Sequence, residues 1–343
     1  MDMNIKESII HKLQKINVNQ IVIWGHKLHS HTHSYIHNAW FKTFNYLNLN
    51  TIWLDNNSDI SGINFDNSLF LTEGQVDENI PINYNNSYYI LHNCNTRKYQ
   101  TLIKNKKVII LQVFINSVRD ELKFSNFNTL KNHYYLPNNI FLILPWATDL
   151  IPEEINKNLI HFSKDNFENK ANFIGSIWED PSNKDFSNKS QINTFKESCD
   201  KYKIEFNHYG SISIEKNIEL IKKTKYSPSI QGKWQCDKGY IPCRIFKNIS
   251  YGGVPITNNP EVYELFDKKI IFNENIDNLI DDTNKFFDDN NDNDFKNLMI
   301  NVRDNHTYLN RINSYLDFIN YVNDNNITNP DIKYLNDIWG GYL

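Results

Sequence analysis

Glycine and proline are scarce in this chain, 11 and 10 of its 343 residues, and cysteine is scarcer still at four. Cys94, Cys199, Cys236 and Cys243 form no C-x-x-C pair and no dense framework, which points to free thiols in a reduced compartment. An excess of charge of one sign is missing too, since 36 basic and 40 acidic residues nearly cancel. A formal net charge of -4 lays no basic footprint for nucleic acid, so any anion site must be local. Long apolar runs are missing as well, and no stretch approaches the roughly 18 residues that span a membrane. The opening "MDMNIKESIIHKLQKINVNQ" is mixed polar and does not read as a signal peptide. Together these absences predict a soluble, cytoplasmic protein.

What is present is apolar and aromatic, 40% and 14% of the residues, enough for real cores. The length exceeds one ordinary core at about 100–200 residues per domain. Short apolar runs recur early: "IVIWG" (21–25), "NTIWLD" (50–55), "SLFLTEG" (68–74), "YYILHN" (88–93) and "KVIILQVF" (107–114). Helical spacing over 34–48 separates the first two. "IFLILPWATDLIP" (140–152) reads as a last strand and a linker, and the pattern restarts at "NFIGSIW" (172–178). Strands alternating with helices predict parallel α/β layers. We divide the chain into residues 1–150, residues 151–320 and a tail, 321–343, that packs back on the first domain.

The stretch "GYIPCRIFKNISYGGVPITNNPEVYELF" (239–266) carries the chemistry. Pro242 suits the first turn of a helix, yet Tyr240 and Ile241 before it cannot accept hydrogen bonds from that turn. The amides of Cys243 and Arg244 are therefore orphans that a phosphate would satisfy, helped by the helix dipole. Arg244 could fork onto phosphate oxygens. Ile241, Ile245 and Ile249 form a core stripe, while Arg244, Asn248 and Tyr251 form a second one facing away from it. Gly252 and Gly253 end the helix. Asn259 caps the next, with Pro260 in its first turn.

These residues resemble the donor-binding half of group 1 glycosyltransferases of the GT-B fold. "CRIFKNISYGGVPITNNPEVYELF" is similar to that family's helix, G-G-V-P-I strand and following helix. "YGSISIEKNIELIKKTKYSPSIQG" (209–232) and "VRDNHTYLNRINSYLDFI" (302–319) are similar to its flanking segments. The resemblance covers about residues 200–320. It implies two Rossmann-like domains facing a cleft and transfer of a sugar from a nucleotide-diphosphate donor, UDP- or GDP-linked, to a hydroxyl of a carbohydrate or glycoconjugate. It also implies no required cofactor and no bound metal, because cations and a helix end neutralise the leaving diphosphate.

Arg244, Lys233 and Cys243 would then hold the diphosphate. Gly210 and Ser211, in a turn after a strand, together with Tyr240, Asn248 and Glu261, would contact nucleotide or sugar. Many retaining members carry two glutamates here; their places fall near Gly239 and Lys247, and neither is acidic. In the first domain, His26, His29, His31, His33 and His37 follow the first strand, while Glu73 and His92 end two others. His31, His33, Glu73 and His92 are the candidates for a base, needed only if the reaction inverts the anomeric centre. Two alternatives stand beside this reading. "LHSHTHS" (28–34) resembles the opening of PHP-type metal-dependent phosphoesterases, with His29 and His31 as ligands but without the Ser-Asp-Gly that follows there. A non-catalytic, GT-B-like carbohydrate-binding protein is the other.

Overall fold

The computed structural model describes residues 4–31, 33–73, 76–82, 86–93, 107–114, 134–135, 141–181 and 187–325. The chain divides into two units: Met1–Leu144 with Tyr308–Leu343, and Pro145–Thr307.

The first unit is built on a sheet of β1 (Gln20–Trp24), β2 (Thr51–Leu54), β3 (Ser68–Glu73), β4 (Tyr88–His92), β5 (Val108–Gln112), β6 (Tyr134–Tyr135) and β7 (Phe141–Ile143). Their spatial order is β2-β1-β3-β4-β5-β7-β6. All pairings are parallel except β6 with β7. The apolar runs of the sequence form these central strands because both faces are covered, and β3, β4 and β5 are buried throughout. Helix Ser34–Tyr46 crosses from β1 to β2 and buries Ile36, Ala39, Trp40 and Phe44.

An N-terminal helix, Ile5–Lys15, opens with a capping box of Asn4 and Glu7. It packs against helix Tyr308–Asp324, where Lys12 pairs with Asp317 at 2.5 Å. The second unit therefore ends earlier than residue 320. The helix from Tyr308 presents an apolar face (Leu309, Ile312, Leu316, Ile319) that is buried in the first unit, and Trp40 meets Tyr308 edge to face. Arg311, in the segment resembling the family's closing helix, is buried there too.

In the second unit β8 (Glu168–Ile174) lies between β9 (Glu205–Tyr209) and β10 (Thr224–Tyr226), all parallel. The strand expected over 226–232 is interrupted: β10 ends at Tyr226, just before Pro228. Beyond it Ser229 bridges Thr257 in the parallel sense, joining β11 (Ile256–Thr257) and β12 (Ile271–Phe272). Helices Lys189–Lys201 and Ile214–Lys223 make the crossovers on either side of β9. The linker read at the end of 140–152 runs directly into helix Pro152–Ile160. Both units are thus α/β layers of the Rossmann-like kind.

Candidate functional site

In each unit the chain leaves the first strand to one side and returns on the other. In the first unit β2 and β3 flank β1; in the second β9 and β10 flank β8. Open parallel sheets bind ligands at the carboxyl ends of strands where the order reverses. Chemistry-bearing residues collect at that place in both units.

In the first unit, Glu73 ends β3 and His92 ends β4, and the two are register partners across the sheet. Glu73 is 1% exposed, and both its oxygens meet imidazoles. Nδ1 of His33 lies 2.8 Å from Oε2, off the line of an ideal hydrogen bond, and Nδ1 of His92 lies 3.3 Å from Oε1. Burial alone would raise the Glu73 pKa; the two imidazoles outweigh it and hold the carboxyl down to about 2. Glu73 is therefore a carboxylate at neutral pH and can only accept. Each facing Nδ1 carries its proton, and the lone pair of a neutral His33 or His92 lies on Nε2. Burial lowers the His92 pKa, with Glu73 opposing.

His33 stands at the start of helix Ser34–Tyr46, a third exposed. Its backbone N–H donates to Nδ1 of His31 at 3.2 Å, so a neutral His31 is protonated on Nε2. Burial, then His33 and His26, lower the His31 pKa. His31 stacks on His26, with ring centres 4.1 Å apart. His29 turns elsewhere, Nδ1 to the Tyr35 hydroxyl at 3.3 Å. The structure thus joins His33, Glu73 and His92 in one constellation with His31 beside it. His29 and His31 do not converge, and among the described residues no cluster of three or more His, Cys, Asp or Glu could hold a metal ion.

In the second unit helix Cys243–Tyr251 begins after Pro242, one residue later than its sequence suggests, and no side chain caps it. Arg244 lies over the Phe173 ring at 4.5 Å, and its Nη1 stands 3.5 Å from the Ile230 carbonyl. Its guanidinium fills the space beside Gly175, the residue after β8: a Cβ there would lie 2.2 Å from Nη2. Gly175 also has φ +139°, which favours glycine. Its N–H donates to Tyr209 O at 2.8 Å, and its carbonyl accepts from His208 Nε2 at 2.8 Å. Among the described residues no carboxylate pairs with Arg244; burial pushes its pKa down, and Cys243 and Tyr240 oppose that.

The loop before this helix is pinned by amides. Asn259 Nδ2 donates to Tyr240 O and to Gln231 Oε1, both at 2.8 Å, and Gln231 Nε2 donates to Tyr240 O at 2.8 Å. Asn259 Oδ1 accepts from the Glu261 N–H at 2.9 Å, the expected cap. Tyr240 and Glu261 are half-buried beside this network. Cys243 is a half-buried free thiol opening the helix.

The remaining candidates sit apart. Lys233 opens the short helix Lys233–Asp237, exposed, with Nζ 2.5 Å from Asp237. Gly210 and Ser211 form an exposed turn after β9, and Gly210 has no neighbour that a side chain would strike. Asn248 corrects the reading of a stripe facing away from the core. It is buried, donating to Ser227 O at 2.7 Å, and Tyr251 is buried as well. Helices Pro152–Ile160, Ile214–Lys223 and Asp292–Asn305 pack around this one and cover its flanks.

Gln231 and Gly175 were not singled out by the sequence. The signal for Gly175 was a glycine directly after an apolar run, there read as part of the strand. Gln231 carried none.

No family model and no curated protein matches the chain. Among solved structures it is similar to an alpha,alpha-trehalose-phosphate synthase (UDP-forming) from Burkholderia xenovorans in complex with glucose-6-phosphate. The TM-score is 0.44 at 8% identity, over 86% of this chain and 78% of that one. It is also similar to an alpha,alpha-trehalose 6-phosphate synthase from Burkholderia multivorans, with TM-score 0.40 at 7% identity, over 85% and 75% of the two chains.

Proposed function

We propose that this chain is a glycosyltransferase that moves a sugar from a nucleoside-diphosphate donor, UDP- or GDP-linked, to a hydroxyl of a carbohydrate or glycoconjugate. The observation that carries the reading is Arg244. A guanidinium without an acidic partner among the described residues stands beside an uncapped helix end, where the order of its sheet reverses. That combination offers charge-assisted donors to a diphosphate. With the guanidinium and the helix end neutralising the leaving group, no metal ion is needed in this role.

The first unit holds a cluster of its own. A base is needed only if the reaction inverts the anomeric centre, and there His33 would take the proton of the attacking hydroxyl through Nε2. Glu73 fixes the ring through Nδ1 and stabilises the imidazolium that forms. Glu73 is thus an orienting carboxylate and not itself the base. Tyr240 and Glu261 flank the donor end, and Lys233 joins the diphosphate only by leaving Asp237.

Thermal unfolding of the full chain with UDP, GDP, ADP, CMP and pyrophosphate, with and without Mg²⁺, tests the reading. A nucleoside diphosphate at 100 times its dissociation constant stabilises by about 2.7 kcal/mol. UDP or GDP should raise the midpoint without Mg²⁺, and Arg244→Ala should abolish the rise. A midpoint that none of the five moves would remove the proposal.

A further inference from the structure

Resting on the diphosphate reading of the second unit, we infer that the buried side-chain amides of Gln231 and Asn259 are positioning groups for the nucleoside half of the donor, which they serve by fixing Tyr240 beside Arg244. All four residues belong to the second unit.

The amides extend a sheet beyond its strands. Ser229 bridges Thr257 in the parallel sense. Two residues on, a side chain takes over the ladder: Asn258 Oδ1 accepts from the Gln231 N–H, and Asn258 Nδ2 donates to the Gln231 carbonyl, both at 2.9 Å. With its backbone so held, Gln231 meets Asn259 through Oε1, and both side chains donate to the Tyr240 carbonyl. The Tyr240 N–H in turn donates to the Gln235 carbonyl at 2.9 Å, and Gly239 before it takes φ +66°. Tyr240 is therefore fixed at both of its peptide groups. Its phenol opposes the fall of the Arg244 pKa, as a group close to that guanidinium does.

Helix capping does not account for this arrangement. Helix Pro260–Leu265 draws one acceptor from Asn259, Oδ1, and a serine hydroxyl would serve as well. Both hydrogens of Asn259 Nδ2 go elsewhere, one to Gln231 and one to Tyr240. The Gln231 and Asn259 side chains are buried, so each unmade hydrogen bond there would be costly, and a fully paired network is rigid. What it holds rigid is an aromatic residue next to the diphosphate site. A ring held there offers its face to a nucleobase, and such stacking tolerates any base. Pyrophosphate, which has no nucleoside, gains nothing from it.

Isothermal titration of the full chain with UDP, GDP and pyrophosphate separates the two halves of the donor. Asn259→Ser keeps a cap and removes both Nδ2 donors. It should weaken UDP and GDP about tenfold, the worth of roughly one hydrogen bond, and leave pyrophosphate within about twofold. Tyr240→Ala leaves the amides in place and should give the same split, with little added in the double variant. A role in folding alone would lower the urea midpoint of Asn259→Ser and leave the ratio of nucleotide to pyrophosphate affinity unchanged. That result overturns the inference, as does additivity of the two substitutions. Arg244→Ala should weaken all three ligands; if it weakens none, the diphosphate reading fails whatever Asn259→Ser does. Binding of none of the three by the parent chain overturns both.

Discussion

The guanidinium of Arg244 occupies the volume that a side chain on Gly175 would need: Nη2 lies 2.2 Å from where that Cβ would be. The two residues are far apart in sequence and meet side by side in the fold. Gly175→Ala should displace Arg244 and strain the backbone at φ +139°. Arg244→Ala should lower turnover by about 10²–10³-fold, the loss seen when one donor to developing charge is removed. Gly175→Ala should lose a comparable share alone and little more in the Arg244→Ala background, because the two act through one contact. Turnover of the four proteins, set out as a cycle, measures the coupling. Additive losses would separate the residues.

Glu73→Gln tests whether the carboxylate orients the base. A carboxamide keeps one acceptor and places an NH₂ against a second imidazole N–H, so one ring must turn. Turnover should fall by about 10²-fold or more, within the span of losing general base catalysis, while the thermal shift with UDP or GDP is unchanged. Equal loss of both would indicate general damage and count against a role confined to the base.

Asp149 offers a test of stability at the far end of helix Cys243–Tyr251 from Arg244. It accepts from the Tyr251 hydroxyl at 2.8 and 2.9 Å and pairs with Lys247 at 3.0 Å, in a nearly closed environment. Asp149→Ala leaves a mostly buried ammonium without this partner and should cost about 3–5 kcal/mol. Tyr251→Phe removes one hydrogen bond from a group that keeps another and should cost less, about 1–2 kcal/mol. Urea midpoints at neutral pH give the order, which a larger loss for Tyr251→Phe would reverse.

The strands were legible because buried parallel strands write themselves as unbroken apolar runs. "IVIWG" became β1 and "YYILHN" became β4 within a residue at each end. Gly252, at φ +91°, closed its helix where a left-handed residue was expected. The face of that helix was not legible. Asn248 and Tyr251 read as facing away from the core because three covering helices lie elsewhere in the sequence. The pairing of His33 and His92 on Glu73 depends on strand register, which spacing does not encode. Lys233 pairs with Asp237 four residues on in its own short helix, a contact the diphosphate reading did not foresee. The isolation of Arg244 from acids depends on what β8, β9 and the Ile230 segment place around it, and no motif records that.

His37 lies in the second turn of helix Ser34–Tyr46 with its ring against Gly25, where any Cβ would fall 2.1 Å from Cε1. Its Nδ1 donates to the His26 carbonyl at 3.2 Å, and Nε2 is buried with no hydrogen-bond partner among the described residues. Burial lowers its pKa from 6.5 to about 4, with Glu73 and the His26 carbonyl opposing and the His26 and His33 rings adding to the fall. The folded protein thus holds His37 neutral where the unfolded chain protonates it. Between pH 6.5 and 4 the unfolded state binds more protons, so this stabilisation is complete above 6.5 and is lost as pH falls toward 4. The loss amounts to about 3 kcal/mol, from 1.36 kcal/mol per pKa unit. His37→Gln keeps a donor for the His26 carbonyl and cannot titrate. Its stability, measured by urea unfolding across that range, should decline less than that of the parent protein by about this amount. Parallel declines would mean that His37 is hydrated and titrates as it does in the unfolded chain.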